Sequence, residues 1–215
     1  MDTDLKRFIE KNQKSVPSLF QRINMAYHIA CGLNWGVEQM NLRHNDLKPS
    51  NILLSGTVDG KWVSTSKCKV TDFGLALTQY STARMSIGNA EYSSPEARKY
   101  KPTDEKSDVY SFGWILFGLL TWDEIKWPVP LEEHLQFVCS DPAKEMFIKR
   151  SLERIAIPDS IIDLVIHCTK TVSHKRPKFS EVISKFDSEL FVTAAIPKVD
   201  TLAHSFWKEK IGSVN

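Results

Sequence analysis

The amino-acid sequence predicts a mainly α-helical domain that contains one small β-hairpin. In several long stretches apolar residues recur about every 3.6 positions, and the apolar run over 109–122 is bounded by Asp108 and Asp123. This spacing collects apolar side chains on one face of a helix. Only Ile52-Leu53-Leu54 and Cys68-Lys69-Val70 change to a pattern typical of strands. The expected architecture is therefore a helical bundle with a hairpin inserted in it.

Two helices are predicted before the hairpin. The acidic start Asp2-Thr3-Asp4 precedes apolar residues spaced three and four apart, which is typical of a capped amphipathic helix. After Pro17 a second helix of about six turns is predicted. Its apolar face consists of Leu19, Phe20, Ile23, Tyr27, Ala30, Leu33 and Val37. The hairpin follows with a long connection, in which Trp62-Val63 is a candidate for an extra strand.

Beyond the hairpin, a loop and then further helices are expected. Residues 72–96 are rich in Ser, Thr and Gly and lack helical periodicity, which predicts a mobile loop. Helices are predicted over 109–122, near Leu131–Cys139, over Ser160–Lys170 and along Phe179 to Leu190. Four prolines separate these segments and are interpreted as helix breakers: Pro128, Pro130, Pro142 and Pro158.

Composition limits the class of protein. A chain of 215 residues with 42% hydrophobic content can bury the core of one domain. With 28 basic and 26 acidic side chains the net charge is +2, which argues against a dedicated nucleic-acid binder. The apolar run over 109–122 is too short to cross a membrane. The four cysteines are far apart in the chain, so we expect reduced thiols in a cytosolic or nuclear protein, with the cytoplasm as the assigned location.

One loop combines side chains suited to phosphoryl transfer. The run His44-Asn45-Asp46-Leu47-Lys48-Pro49-Ser50-Asn51 contains a carboxylate, an ammonium and a carboxamide. Taken singly, such residues are more often turn formers or helix caps. Further along come Asp72-Phe73-Gly74 and Ser94-Pro95-Glu96. In this order the three motifs resemble the catalytic loop, the metal-binding triplet and the Ala-Pro-Glu motif of eukaryotic protein kinases.

The resemblance implies a role for each polar residue of these motifs. Asp46 would orient the substrate hydroxyl, and Lys48 would neutralise charge on the transferred phosphoryl group. A lysine at this position is similar to the serine/threonine type of catalytic loop. Asn51 and Asp72 would supply oxygen ligands to Mg²⁺, whose partner is ATP. Leu53 corresponds to a residue that packs under the adenine ring, although a core position would require the same side chain.

The resemblance also implies a domain boundary. Residues 1–190 correspond to the larger, helical lobe of a kinase domain, and 191–215 are expected to form a helical tail. The 215 residues contain neither a Gly-x-Gly-x-x-Gly loop nor a Val-Ala-x-Lys strand, so the smaller, β-rich lobe is expected to be absent. The runs Lys106–Gly113 and Lys175–Ser180 are most similar to the tyrosine-kinase-like branch. Residues 191–208 resemble the segment that precedes a Src-homology module in amoebozoan kinases.

Two scaffold features and two departures accompany the resemblance. Glu96 and Arg176 are expected to form a buried ion pair, and Asp108 is expected to hold the backbone of the catalytic loop. Asn45 replaces the arginine that usually pairs with an activation-loop phosphate, and Asn89 replaces the threonine of a common Gly-Thr pair. We therefore predict that loop phosphorylation is not the usual activating switch. Its candidate sites are Thr78, Tyr80, Ser81, Thr82 and Ser86.

Two functions of different classes remain open at this stage. The chain is either the catalytic lobe of a serine/threonine or dual-specificity kinase, or a binding module that acts as a decoy or inhibitor of another kinase. The expected partners are a protein substrate and ATP, with the exposed upper face available to another kinase or to the missing lobe. Activity of the isolated chain is in doubt because phosphoryl transfer depends on positioning by both lobes.

Overall fold

The computed structural model describes residues 3–63, 66–72, 77–78, 91–99, 102–130, 133–155 and 157–190. Its α-helices are α1 (Leu5–Lys11), α2 (Leu19–Met40), α3 (Pro95–Arg98), α4 (Glu105–Thr121), α5 (His134–Val138), α6 (Asp141–Leu152), α7 (Asp159–Cys168) and α8 (Phe179–Leu190). Its strands are β1 (Thr3–Asp4), β2 (Leu42–Arg43), β3 (Ile52–Ser55), β4 (Lys67–Val70) and β5 (Leu77–Thr78). The predicted mainly helical fold is confirmed.

Side-chain caps begin both N-terminal helices. Asp4 accepts a hydrogen bond of 2.9 Å from the backbone N–H of Arg7, as the acidic start of the sequence predicts. Ser18 and Gln21 form a reciprocal capping box at the start of α2. Such caps satisfy the backbone donors that a helix leaves unpaired in its first turn. At its other end α2 stops at Asn41, whose φ of 50° lies in the left-handed region.

The predicted hairpin consists of β3 and β4, which pair antiparallel with Ile52 opposite Val70. Strand β1 adds to the other edge of β3, with Asp4 opposite Leu53. Ile52 and Leu54 are fully buried, whereas Leu53 is only half-buried. Successive side chains of a strand point to opposite faces, so Leu53 lies on the face away from the core. A second, two-stranded sheet pairs β2 with β5.

The predicted extra strand at Trp62-Val63 is wrong. The backbone N–H and C=O of Val58 instead pair with those of Lys61, at 3.1 and 2.8 Å. Asp59 and Gly60 between them both have positive φ, which is the geometry of a type I′ hairpin turn. Trp62 then leaves the turn as a buried side chain rather than as part of a ladder.

The loop predicted over 72–96 contains two regular elements, β5 and the start of α3. The predicted helix near Leu131–Cys139 begins only at His134, and Leu131 lies outside the described residues. Helix α6 was not predicted, because Pro142 was interpreted as a breaker. Pro142 lies in the first turn of α6, where its missing N–H costs nothing, and Ser140 caps that turn. Most of the predicted phosphorylation sites lie outside the described residues.

Helix α4 forms the centre of the core, with α2 and α7 packed against it. Fourteen of its residues are buried, and Phe112 makes edge-on ring contacts with Phe179 and Phe186 of α8. The resulting burial of α4 places Asp108, in its first turn, beneath the loop at residues 44–51. Within the described part of the chain, no helix combines the length and apolar character that a membrane span requires.

Candidate active site

Asp108 holds the backbone of the loop that contains the predicted catalytic residues. Its carboxylate accepts hydrogen bonds from the backbone N–H groups of His44, at 2.6 Å, and Asn45, at 2.8 Å. The side chain is buried, with 2% of its surface exposed. Burial raises the pKa of Asp108, while the two backbone donors favour its ionised form. The scaffold role predicted for Asp108 is therefore confirmed.

The ring of His44 connects the loop to the end of β4. Its Nε2 lies 2.9 Å from the carbonyl oxygen of Thr71, and its Nδ1 lies 3.3 Å from the backbone nitrogen of Asp46. A carbonyl can only accept and a backbone N–H can only donate, so the tautomer with hydrogen on Nε2 satisfies both contacts. The buried imidazole thus orients the backbone at Asp46.

Three of the predicted site residues meet within one loop. The Lys48 Nζ lies 2.6 Å from Oδ2 of Asp46. The Asn51 Nδ2 donates to the same oxygen at 3.2 Å and to the Asp46 backbone carbonyl at 2.8 Å. The Asp46 carboxylate therefore lies between an ammonium and an amide donor. It retains 10% exposure of its side chain, so it remains in contact with solvent.

Asp72 reaches this loop through its neighbour Thr71. Both the backbone N–H and the hydroxyl of Thr71 donate to the carbonyl of Asn51, at 2.9 and 3.2 Å. Asp72 follows directly, is exposed, and has a φ of 62°. Aspartate tolerates this left-handed conformation better than most residues. Asp72 therefore directly follows a residue that is hydrogen-bonded to Asn51, and the pairing of Asp72 with Asn51 as metal ligands stays a prediction.

The donor set at Asn51 and Asp72 suits Mg²⁺. Because Asn51 uses its Nδ2 to donate to Asp46, its Oδ1 is the atom it can offer to a cation. Mg²⁺ is typically bound by one or two protein oxygens together with phosphates and water. Among the described residues, no group of three or more His, Cys, Asp or Glu side chains could form a metal site from protein ligands alone.

The side chain of Asn45 forms hydrogen bonds with Arg43 and Thr103. Its Nδ2 donates to the carbonyl of Arg43 at 3.3 Å, and its Oδ1 accepts from the hydroxyl of Thr103 at 3.2 Å. Arg43 also donates from Nη1 to the carbonyl of Thr103. Asn45 therefore ties the loop to the segment before α4. Its neutral amide cannot replace the charge-assisted contact of an arginine.

The predicted ion pair of Glu96 and Arg176 is confirmed. Nη1 and Nη2 of Arg176 donate to the two carboxylate oxygens of Glu96, at 2.6 and 2.8 Å. Ser107 adds a hydroxyl donor to Glu96 at 2.8 Å. Burial alone would raise the pKa of Glu96, but the hydrogen bonds and charge of Arg176 hold that pKa below its ordinary value. The pair joins α3 to the segment before α8.

Several residues that support the site were not predicted. Thr71, Thr103 and Ser107 act through single hydroxyl contacts with residues distant in sequence. The one local indication is the position of Thr71, directly before Asp72 at the end of a strand. A hydroxyl residue in that place is common for other reasons, so the sequence does not single it out.

Comparison with known proteins identifies the class to which this fold and loop belong. A family model described as protein tyrosine and serine/threonine kinase matches residues 1–186. The chain therefore belongs to the protein kinase family. Members of this family generally use ATP and Mg²⁺ and act on protein substrates.

Individual relatives come from several branches of that family. Dual specificity protein kinase shkE of Dictyostelium discoideum is 31% identical over 217 residues, covering 97% of this chain and 28% of the relative. Probable serine/threonine-protein kinase SIS8 of Arabidopsis thaliana is 35% identical over 173 residues, covering 76% and 15%. Tyrosine-protein kinase SPK-1 of Girardia tigrina is 29% identical over 187 residues, covering 85% and 36%. The chain thus spans only about a third or less of each relative.

Proposed function

We propose that this chain is the catalytic lobe of a protein kinase that transfers the γ-phosphate of ATP to serine or threonine of protein substrates, with tyrosine as a second acceptor. The observation that supports this most directly is the position of the Asp46 carboxylate between Lys48 and Asn51. A decoy has no chemical need for this arrangement. The names of the relatives include serine/threonine, tyrosine and dual-specificity kinases, and Lys48 favours serine/threonine.

In this proposal Asp46 accepts a hydrogen bond from the substrate hydroxyl and turns its oxygen toward the phosphoryl group. The rigidity that this requires comes from three sources: Asp108 below the loop, the His44 ring, and the amide of Asn51. Positioning of this kind is the main contribution a protein makes to phosphoryl transfer. Lys48 places a positive charge within hydrogen-bond distance of Asp46. In this proposal that charge neutralises the negative charge on the transferred phosphoryl group.

Asn51 and Asp72 are proposed to hold Mg²⁺, and Leu53 to contact the adenine ring. When bound, the metal would neutralise charge on the phosphates of ATP. Leu53 is suited to its role because it lies on the face of β3 opposite to the core residues Ile52 and Leu54. We expect weak transfer by these 215 residues alone, because they contain no Gly-rich loop or strand lysine to close over the nucleotide.

Nucleotide binding is tested by thermal unfolding with and without Mg²⁺ and ATP. At a nucleotide concentration about ten times Kd, binding stabilises the folded state by about 1.4 kcal/mol. For a domain of this size that corresponds to a rise in Tm of about 3–6 °C. We expect the rise in the unmodified chain and its loss in Asp72→Asn.

The matched control is Asp59→Asn. Asp59 is also an exposed aspartate with positive φ, but it lies in the turn before Trp62 rather than beside Asn51. This variant should keep the full rise in Tm. An unmodified chain that gives no rise would contradict the nucleotide site and would favour the binding-module function. If the chain does bind nucleotide and transfers phosphate, phosphoamino-acid analysis of a mixed peptide substrate would show whether serine, threonine or tyrosine is the acceptor.

A further inference from the structure

A concave surface of this chain, away from the catalytic loop, has a marked excess of positive charge. It is a groove of about 860 Å³ between the first turn of α4, helix α7 and the start of α8. We call it the basic groove. Its charged and titratable side chains are Lys106, Asp163, His167, His174, Lys175, Lys178, Glu181 and Lys185, with Arg176 at its base. None of the predicted catalytic-loop residues lines it.

The basic groove has a higher density of positive charge than the chain as a whole. Four lysines face two carboxylates in this one cavity, giving an excess of two positive charges. The net charge of the whole 215-residue chain is also only +2. Concave surfaces lined by one sign of charge focus the electrostatic field and attract ligands of the opposite sign.

Three of the groove residues are held in place by hydrogen bonds. The Lys106 Nζ donates to the backbone carbonyl of Arg176 at 2.8 Å, which fixes it at the base of the groove. Arg176 itself is turned inward to Glu96 and does not contribute a free charge. The carboxylate of Glu181 accepts a hydrogen bond of 2.6 Å from the backbone N–H of Lys178. One of the two acidic groups is therefore engaged locally.

The exposed lysines of the groove are Lys175 and Lys178. Neither has a carboxylate within ion-pair distance among the described residues, and both residues are exposed. Lys175 ends a short 3-10 turn, and Pro177 separates it from Lys178 at the start of α8. Proline restricts the backbone between the two lysines, so they are presented from a stiff segment.

We propose that the basic groove binds an acidic peptide segment of a protein partner, through carboxylates that pair with Lys175 and Lys178. A flexible peptide can follow the concave groove and bring its carboxylates to both lysines. A polyphosphate carries charge on every unit and would face Asp163 and Glu181, whereas an acidic peptide can place neutral residues opposite these two carboxylates and its own carboxylates opposite the lysines. The proposal is independent of whether the chain transfers phosphate.

The test is fluorescence anisotropy with a labelled peptide in which glutamate alternates with serine, at low and at physiological ionic strength. The Lys175→Gln/Lys178→Gln variant should bind this peptide about fivefold to tenfold more weakly than the unmodified chain. The affinity of the unmodified chain should fall with salt, because screening shortens the Debye length to about 8 Å at physiological ionic strength.

Lys11→Gln/Lys14→Gln is the matched control. It removes the same charge from two exposed lysines at the end of α1, outside the groove. Its affinity should change less than about twofold. Equal weakening in both variants would overturn the proposal in favour of diffuse attraction, as would equal binding of a glutamine-for-glutamate peptide. Binding of phosphatidylserine vesicles without binding of the peptide would also overturn it.

Discussion

Replacement of Arg176 by methionine should destabilise the fold more than any surface substitution. All five guanidinium N–H groups of Arg176 have acceptors, and its side chain is fully buried. Two N–H groups donate to Glu96, and the other three donate to the backbone carbonyls of Lys106, Thr171 and Lys170, at 2.9, 3.0 and 2.7 Å. One side chain thus joins α3, α4 and the segment after α7.

The expected loss of stability follows from the groups that Arg176→Met leaves without a hydrogen-bond donor. Glu96, whose side chain is only 15% exposed, would lose its counter-ion. Breaking a buried pair in this way costs about 3–5 kcal/mol. Three carbonyls would also lose a charged donor, so we expect the upper part of that range. A domain has a total stability of about 5–15 kcal/mol, so Arg176→Met removes a large fraction of it.

Urea unfolding at neutral pH measures the loss. With a slope of about 2–3 kcal/mol per molar urea, the midpoint should fall by about 1.3–2.5 M. The control is Glu145→Gln, which breaks the exposed pair with Lys149 at 2.9 Å and should barely move the midpoint. A loss below about 1 kcal/mol in Arg176→Met, with an unchanged slope, would show that the buried ion pair does not stabilise the fold as expected.

The same pair predicts a dependence on pH. Because the pKa of Glu96 is lowered in the folded state, its contribution is present above the ordinary glutamate value of 4.5 and is lost as pH falls through the lowered pKa. Urea midpoints measured downward from pH 5 should therefore fall more steeply for the unmodified chain than for Arg176→Met. Parallel curves would mean that Glu96 does not titrate in this window.

Two further substitutions test the packing of α4 and its link to the catalytic loop. Gly113→Ala would place a Cβ 2.8 Å from the Cβ of Cys168. It should lower the free energy of unfolding in urea by about 1–3 kcal/mol. Gly36→Ala is the control, because its added Cβ would meet no neighbouring atom within 4 Å, and it should be neutral or stabilising. Asp108→Asn should speed amide hydrogen exchange at His44, at Asn45 or at both, because an amide has one acceptor oxygen where the carboxylate has two. Unchanged exchange at both residues would contradict the anchoring role of Asp108.

Most of the helices could be predicted from the sequence because their stabilising patterns are local. The acidic cap of α1 and the apolar period of α2 operate over a few residues, and periodicity reports the buried face directly. Helix α6 was missed because proline terminates a helix only beyond its first turn, and the position of Pro142 depends on the cap at Ser140. The turn at 58–61 was missed because the apolar Trp62 was interpreted as part of a strand, whereas its side chain is buried without strand pairing.

The residues of the candidate site can be predicted from the sequence because most of them are close together in the chain. Asp46, Lys48 and Asn51 lie within one short loop, so their spacing alone ensures that they meet. The groups that hold these residues in place come from distant parts of the chain. Asp108 lies 64 positions from His44, and Arg176 lies 80 positions from Glu96. Such partners cannot be predicted from the sequence, because periodicity defines which face of a helix is buried, whereas the partner of a buried polar group depends on how distant helices pack.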